Sequence, residues 1–177
     1  MAKSNPPAHQ PTQHFPNNER LFRRIHRTNI DKRGRATFLG FALPDMSVNR
    51  ESFGTADDAR RNHNATVWGV AAFLVAVIPP RELQTHNDQR YLLFARHVPE
   101  PDNFPHSEVR VWREVKGGHA LVTERTQEGF NEGDPDAGEA HVPPTDEYLD
   151  PDFHMRWRKR LALASQLVIG PSPQEEE

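Results

Sequence analysis

The sequence predicts an α+β fold in which a small, mainly antiparallel sheet is covered by a C-terminal amphipathic helix, with disordered termini. Three observations lead to this prediction. Short apolar runs rich in β-branched residues alternate with turns marked by Gly and Pro, a pattern typical of antiparallel strands. A hairpin pattern occupies residues 108–124, and apolar residues recur at helical spacing after residue 150. A chain of 177 residues suits one core with polar tails.

In the N-terminal quarter, the residue pattern predicts a disordered arm followed by two strands. Residues 1–18 are rich in Pro, Asn, Gln and His, so they cannot bury enough apolar surface to offset the entropy of ordering. Leu21–Ile25 alternates as a strand, and residues 31–35 (DKRGR) read as a turn. Ala36–Leu43 is a second strand candidate, which makes a hairpin possible. We expect the α+β core to span residues 19–124.

In the middle of the predicted core, the residue pattern indicates a short helix and a buried strand. Residues 46–48 are short and extended after the break at Pro44-Asp45. Thr55 is a candidate N-cap, since acidic residues follow it in the first turn, where the helix dipole favours them. That helix would end at about Arg61 or Asn64. Residues 66–78 form the most apolar run, and their β-branched side chains favour a central strand buried on both faces. A buried helix is the alternative, favoured by the alanines.

Two more strand regions follow. Gln89–Val98 is a strand candidate, and Glu108–Val115 alternates well. Gly117-Gly118 is the turn that returns the chain along His119–Glu124, so this pair predicts a hairpin. Residues 125–150 are acidic and rich in Gly and Pro, which predicts a long loop.

The C-terminal helix is predicted over residues 151–169, packed on the core. Asp150 is the candidate N-cap, Pro151 takes the first helical position, and Gly170 ends the helix. An acidic tail, residues 170–177, follows. The apolar stripe consists of Phe153, Trp157, Leu161, Ala164 and Val168, widened by Leu163 and Leu167.

Composition excludes several classes of site. The chain contains no cysteine, which excludes disulfides, thiolate zinc sites and cysteine nucleophiles. The N-terminus has no apolar signal region, and the longest apolar run, Val67–Ile78, is shorter than the roughly 20 residues that span a bilayer. We therefore expect a soluble, cytoplasmic protein that does not bind membranes.

Charge is distributed unevenly although the formal net charge is only -3. Basic residues dominate between Arg20 and Arg61, and acidic residues dominate between Glu124 and Asp152. Guanidinium groups match phosphate oxygens, so the basic stretch predicts contact with nucleic acid or an acidic partner. The alternative is a solvated face, or one covered by the acidic segment. The residues proposed for this contact are Arg23, Arg27, Lys32, Arg33 and Arg35.

The ten histidines show no metal-binding spacing, so no metal or cofactor is predicted. His106 is the most site-like, because it follows a loop and precedes a strand beside Ser107 and Glu108. Such a histidine could perform acid–base chemistry, or it could be a strand cap.

Four segments together resemble a family of bacterial proteins for which no activity is established. The family pattern has an RRIHP-like start, an SxAF segment, an LSVDR-like box and a late Pro-Ala-His box. The matching segments are residues 23–26 (RRIH), 36–38 (ATF), 46–50 (MSVNR) and 105–107 (PHS), with Arg27 in place of the usual proline. The resemblance covers residues 21–115 and implies a bacterial origin.

The order of these boxes is also similar to that of ADP-ribosyltransferase-like folds, with an early strand arginine, a polar second box and a late polar residue. If the chain is an enzyme, this similarity implies a nucleotide or NAD-type substrate. The catalytic candidates are then Arg24, His26, Ser47, Arg50 and His106, which must converge in one pocket.

No catalytic motif stands out, so the sequence favours a binding or accessory protein of a bacterial complex that contacts nucleic acid or an acidic partner. The enzyme on a nucleotide or NAD-type substrate is the first alternative. The second is a structural subunit that docks on another chain through the C-terminal helix, which requires Trp157 and Leu161 to be exposed in the monomer.

Overall fold

Eight strands form one antiparallel sheet in the computed structural model, which describes residues 14–43, 45–78, 84–86, 88–115, 118–121 and 151–173. The sheet order is β4-β5-β6-β2-β1-β3-β8, and β7 pairs with the far end of β6. The elements are β1 (Arg20–His26), β2 (Asp45–Arg50), β3 (Trp68–Leu74), β4 (Gln84–His86), β5 (Gln89–His97), β6 (His106–Val115), β7 (Gly118–Leu121), α1 (Met155–Ala164) and β8 (Gln166–Ile169). Short 3₁₀ helices occupy Arg27–Asn29, Phe38–Gly40, Asp58–Arg60, Val75–Val77 and Pro151–His154.

The two central strands, β1 and β2, are paired over only a short distance. Leu21 lies opposite Arg50 and Phe22 opposite Asn49, and after these two pairs the strands separate. Each strand remains paired with its outer neighbour: β1 pairs with β3 along its whole length, and β2 pairs with β6 from Asp45 to Asn49. The separation opens a gap in the middle of the sheet.

One face of the sheet carries the main hydrophobic core. Alternation places Leu21 and Ile25 of β1 on this face, and α1 covers it with Trp157 and Leu161, which are 0% and 1% exposed. The predicted cover of the sheet by the C-terminal helix therefore matches the packing. Other core members are Phe41, Met46, Val48, Phe73, Val75, Ile78, Tyr91, Leu93, Val109 and Val111.

The opposite face has a smaller apolar cluster and is otherwise polar. Phe22, Val70 and Ala72 form its buried centre, with Ala56, Ala59, Val168 and Ile169 packed around them. The segment around residues 56–59 thus covers part of this face beside the gap between β1 and β2.

Several predicted strands are confirmed. Residues 68–74 form a central strand that is almost entirely buried, as the most apolar run predicted. Gln89–His97 matches the predicted strand of residues 89–98, and the β6–β7 pair confirms the predicted hairpin over its described residues. The loop predicted at residues 125–150 lies outside the described residues, as do residues 1–13 and 174–177.

The second strand predicted at Ala36–Leu43 is wrong. Asp31 accepts hydrogen bonds from the backbone N–H groups of Arg33 and Arg35, and the chain then forms a 3₁₀ turn at Phe38–Gly40. Gly40 lies so close to β1 that a Cβ there would stand 2.8 Å from Cδ1 of Ile25. This segment therefore packs across β1, and β2 pairs with β1 in its place.

The helices are shorter than predicted. Thr55 donates its backbone N–H and its hydroxyl to the Asp58 carboxylate at 2.7 and 2.9 Å, yet only a 3₁₀ turn, Asp58–Arg60, follows. The C-terminal helix ends at Ala164 rather than residue 169, because residues 166–169 pair with β3 as β8. Leu163 is 86% exposed and does not widen the apolar stripe.

Residues 14–18, predicted to belong to a disordered arm, are in contact with the core. The carbonyl oxygen of His14 accepts a hydrogen bond from Arg50, and the ring of Phe15 packs on the guanidinium of the same arginine. Ala76 donates its backbone N–H to the carbonyl oxygen of Asn17. In the part of the chain that is described, no helix is long and apolar enough to cross a membrane.

The packing of α1 gives the first prediction. Replacing Trp157 by Ala should lower the free energy of unfolding by about 3–5 kcal/mol, since a fully buried aromatic side chain leaves a cavity. Leu163→Ala in the same helix should change it by less than about 0.5 kcal/mol, because Leu163 is exposed. Urea denaturation followed by fluorescence and circular dichroism measures both. Equal losses would show that α1 does not pack as described.

Candidate functional site

A cleft of about 300 Å³ lies on the polar face of the sheet, where β1 and β2 separate. Three parts of the chain surround it: the ends of the two strands, the segment of residues 58–63, and the loop of residues 100–103 that leads into β6. The lining residues are Phe22, Arg23, Arg24, Ser47, Val48, Asn49, Asp58, Ala59, Arg61, Asn62, His63, Glu100, Asp102, Asn103 and His106.

The Arg23 guanidinium bridges the gap between the strands. Its Nη1 donates to the carbonyl oxygen of Ser47 at 2.9 Å, and its Nε donates to the carbonyl oxygen of Gly40 at 3.1 Å. The side chain thus satisfies one carbonyl oxygen of β2 and one of the 3₁₀ turn that packs across β1. Burial, together with the charge of Arg24, lowers the pKa of Arg23 to about 10, so the group stays cationic at neutral pH.

Arg24 projects beside the cleft, and the contacts that the described residues make with it are neutral. Its guanidinium lies 5.1 Å from the ring centre of Trp68, a cation–π contact, and its Nη1 donates to Nε2 of His63. Burial lowers the pKa of Arg24 from its usual value. Burial and the charge of Arg24 also lower the pKa of His63, which keeps its imidazole a neutral acceptor.

The opposite wall is fixed by a pair of amides. Asn49 is 4% exposed, and its Nδ2 donates to Oδ1 of Asn103 at 2.9 Å, while Nδ2 of Asn103 donates back to Oδ1 of Asn49 at 3.1 Å. This reciprocal pair ties the loop of residues 100–103 to β2. Ser47 lies on the same face of β2 and is exposed to the cleft.

His106 begins β6 opposite Asn49 and is 7% exposed. Its Nδ1 donates to the carbonyl oxygen of Val98 at 2.7 Å, and its Nε2 lies 3.7 Å from Oε1 of Glu100. A carbonyl oxygen can only accept, so Nδ1 carries the proton in this contact.

Charges are segregated within the cleft. Arg24 and His63 lie on the side of β1, where Arg61 is paired with the Asp58 carboxylate, whereas the side chain of Arg23 leaves β1 on the core face with Leu21 and Ile25. Glu100 and Asp102 lie on the side of the loop that precedes β6. The wall on the side of β1 is therefore cationic. The opposite wall carries two acidic side chains and one histidine, His106.

Three of the five catalytic candidates share this cleft: Arg24, Ser47 and His106. His26 lies at the end of β1, where Nδ1 is 2.7 Å from the hydroxyl of Thr28. Arg50 points to the core face, because it is an odd number of residues from Ser47 along β2.

Arg50 belongs to a buried ion pair. It is 2% exposed, and its Nε and Nη2 donate to the two carboxylate oxygens of Glu19 at 2.9 and 2.7 Å. The ring centres of Phe15 and Phe53 lie 4.0 and 4.8 Å from its guanidinium carbon. Arg50 therefore holds the N-terminal segment against the core and does not reach the cleft.

The five residues predicted to bind nucleic acid or a partner are dispersed. Arg23 lines the cleft, Arg27 is partly buried at the end of β1, and Arg35 forms an ion pair with Asp31 at 3.0 Å. Lys32 and Arg33 are exposed at the intervening turn. Among the described residues, no ion pair involves these last two, which form an exposed basic tip.

Several cleft residues were missed by sequence reasoning, namely Asn49, Arg61, His63, Glu100, Asp102 and Asn103. Asn49 directly follows the extended segment of residues 46–48 and lies two residues after Ser47, so alternation could have placed the two side chains on one face. The others come from irregular segments, which have no period to follow. Within the described ranges, no group of three or more His, Asp or Glu side chains is arranged to hold a metal ion.

Comparison with known proteins gives no further assignment. No protein-family model matches the chain, and no curated protein or solved structure is significantly similar to it.

The buried ion pair gives the second prediction. Glu19→Gln should lower the free energy of unfolding by about 3–5 kcal/mol, because it leaves the buried Arg50 charge without its counterion. Glu51→Gln, which breaks the exposed pair with Arg20, should cost at most about 1 kcal/mol. Equal effects of the two changes in urea denaturation would contradict this assignment.

The same pair should make stability pH-dependent. Burial of Glu19 acts to raise its pKa, but hydrogen bonds from Arg50 and Ser52 and the Arg50 charge outweigh it, so the pKa is lowered. The stabilisation is therefore complete above the usual pKa of a glutamate and is lost as the pH falls through the lowered value. The difference in stability between wild type and Glu19→Gln should shrink over that acidic range, and a constant difference would argue against it.

Proposed function

We propose that the cleft binds a small ligand that carries a phosphate or a comparable anionic group. The observation that carries the proposal is the state of Arg24 on the cationic wall. Its guanidinium contacts an imidazole and an indole ring, and it forms no ion pair with a described carboxylate. Its charge is thus left to act on a ligand, and guanidinium groups match phosphate oxygens well.

The other lining groups supply hydrogen bonds of the kind such a ligand needs. The Ser47 hydroxyl can donate to a phosphate oxygen, and His106 offers Nε2 from the opposite wall. Binding sites for small molecules combine a concave surface with a few convergent polar groups. This arrangement supports a nucleotide-type or other phosphorylated ligand.

The convergence of Arg24, Ser47 and His106 favours the enzyme on a nucleotide or NAD-type substrate over a purely structural subunit. Trp157 and Leu161 are buried in the chain's own core, so a partner could reach them only if α1 detached. His106 has one ring nitrogen fixed by Val98 and the other facing the cleft, which is the arrangement that proton transfer requires.

Calorimetric titration with AMP, ADP, NAD⁺ and pyrophosphate tests the proposal. Wild type should bind at least one of them, and Arg24→Gln should weaken that binding by about tenfold or more, since a charged hydrogen bond contributes about 1.5–3 kcal/mol. Arg33→Gln removes the same charge from an exposed turn and should leave affinity within about twofold at physiological salt.

Two results would contradict the proposal. One is the absence of binding of all four compounds at millimolar concentration. The other is an equal loss of affinity in both variants, which would indicate a diffuse charge effect rather than a site.

A second candidate is contact with nucleic acid or an acidic protein through the exposed turn that bears Lys32 and Arg33. The turn is held by Asp31 and by Gly34, whose φ of 74° favours glycine, so the two side chains project from a defined loop. This supports the binding or accessory role within a larger bacterial complex that the basic stretch predicts.

Filter binding to single- and double-stranded DNA and RNA across a salt series tests this candidate. Binding should weaken steeply with salt, and a Lys32→Glu, Arg33→Glu double variant should abolish it while the protein stays folded. The double variant spares the Asp31–Arg35 ion pair. Salt-insensitive binding, or binding unchanged by the double variant, would refute a phosphate contact at this turn.

A further inference from the structure

We propose that the ligand is a phosphomonoester of about mononucleotide size, whose terminal phosphate is held between Arg24 on one wall and His106 on the other, with uptake of a proton by His106. This inference rests on the proposed function and adds the ligand class and the protonation of the site.

The size of the cleft limits the ligand. A volume of about 300 Å³ is at the lower end of the range for small-molecule sites, which extends to about 1,000 Å³. A mononucleotide or a sugar phosphate suits this volume. An entire dinucleotide such as NAD⁺ would leave much of its surface outside.

The donors around the cleft match a terminal phosphate. A phosphomonoester carries about -1.5 to -2 charges at pH 7 and offers three strong acceptor oxygens. Arg24, Ser47 and protonated His106 are three donors from three strands, β1, β2 and β6. A diester carries a single charge and two free oxygens, so it would gain less from the charges of Arg24 and protonated His106.

The tautomer of His106 makes proton uptake specific to one atom. Because Nδ1 donates to the Val98 carbonyl oxygen at 2.7 Å, neutral His106 presents a lone pair at Nε2, which would repel a phosphate oxygen. Protonation at Nε2 turns this acceptor into a charged donor. An anion at that position stabilises the imidazolium, so binding the ligand and binding the proton favour each other.

The charges that face His106 allow this change. Glu100 lies 3.7 Å from Nε2 and stabilises the imidazolium, and Asp45 on β2 is close enough to interact electrostatically with it. His97 on β5 interacts with it as well, but burial and the Arg50 charge lower the pKa of His97 and keep that ring neutral. Arg24 lines the facing wall, so a bound phosphate would lie between its guanidinium and the His106 ring.

The first test uses wild-type protein and AMP. Calorimetric titrations at one pH in three phosphate-free buffers with different enthalpies of ionisation give the number of protons taken up on binding. We expect net uptake at pH 7, and an affinity that rises as the pH falls towards 6, where the phosphate itself begins to protonate.

Variants then assign the proton. His106→Asn retains an amide where Nδ1 contacts Val98 but places no donor in the cleft, so uptake should vanish and affinity should fall about tenfold. His106→Gln places a neutral amide nearer the position of Nε2, and it should recover part of the affinity without the uptake. His26→Asn, at a histidine that does not line the cleft, is the matched control and should retain the uptake.

The outcomes separate the two proposals. If AMP binds in an Arg24-dependent manner but without proton uptake, or if uptake survives in His106→Asn, the role of His106 is overturned and the anion site stands. If NAD⁺ binds more tightly than AMP, the monoester class is overturned. If no phosphorylated compound binds, the proposed function itself fails, and this inference fails with it.

Discussion

The candidate site depends on the separation of β1 and β2 after only two residue pairs. Each strand is held on its outer side, β1 by β3 and β2 by β6, so neither is free to follow the other. The carbonyl oxygens left in the gap would each cost about 1–3 kcal/mol if they were buried without a donor. Arg23 supplies donors to the carbonyl oxygen of Ser47 in the gap and to that of Gly40 in the turn that packs across β1, and so stabilises the break in the sheet beside which the cleft lies.

The two faces of the sheet use their arginines differently. On the core face, the charge of Arg50 is neutralised by both carboxylate oxygens of Glu19, and aromatic rings pack on its guanidinium. This ion pair has a structural role. On the polar face, Arg24 contacts an indole and an imidazole, which leave its charge in place. Arg50 therefore has a structural role, because Glu19 is its buried counterion. Arg24 forms no ion pair with a described carboxylate, so its charge can act on a ligand.

Local patterns predicted those elements whose neighbours do not alter them. The run around Phe73 is apolar enough to be buried in any fold, and the β6–β7 hairpin is set by alternation next to a turn. Local patterns predicted the wrong element where a distant segment paired with, or packed against, the same residues. Residues 166–169 continue a helical stripe in sequence, but β3 has an edge to be paired, and backbone pairing with it outweighs one more helical turn. Ala36–Leu43 is an apolar run that was predicted as a strand, but Gly40 packs directly on Ile25 and β2 takes the pairing position.

The sequence by itself determined the α+β class, most of the strands, and a set of polar residues that includes Arg24, Ser47 and His106. Only the tertiary structure decided which of these side chains lie together in the cleft. Ser47 and Arg50 are three residues apart in one strand, so the pleat sends them to opposite faces. His63, Glu100 and Asn103 come from loops whose course is fixed by contacts with distant strands, such as the Asn49–Asn103 amide pair. Composition and periodicity indicate local structural preferences. A site is formed by residues that are far apart in the chain, and strand register and packing decide which of them lie together.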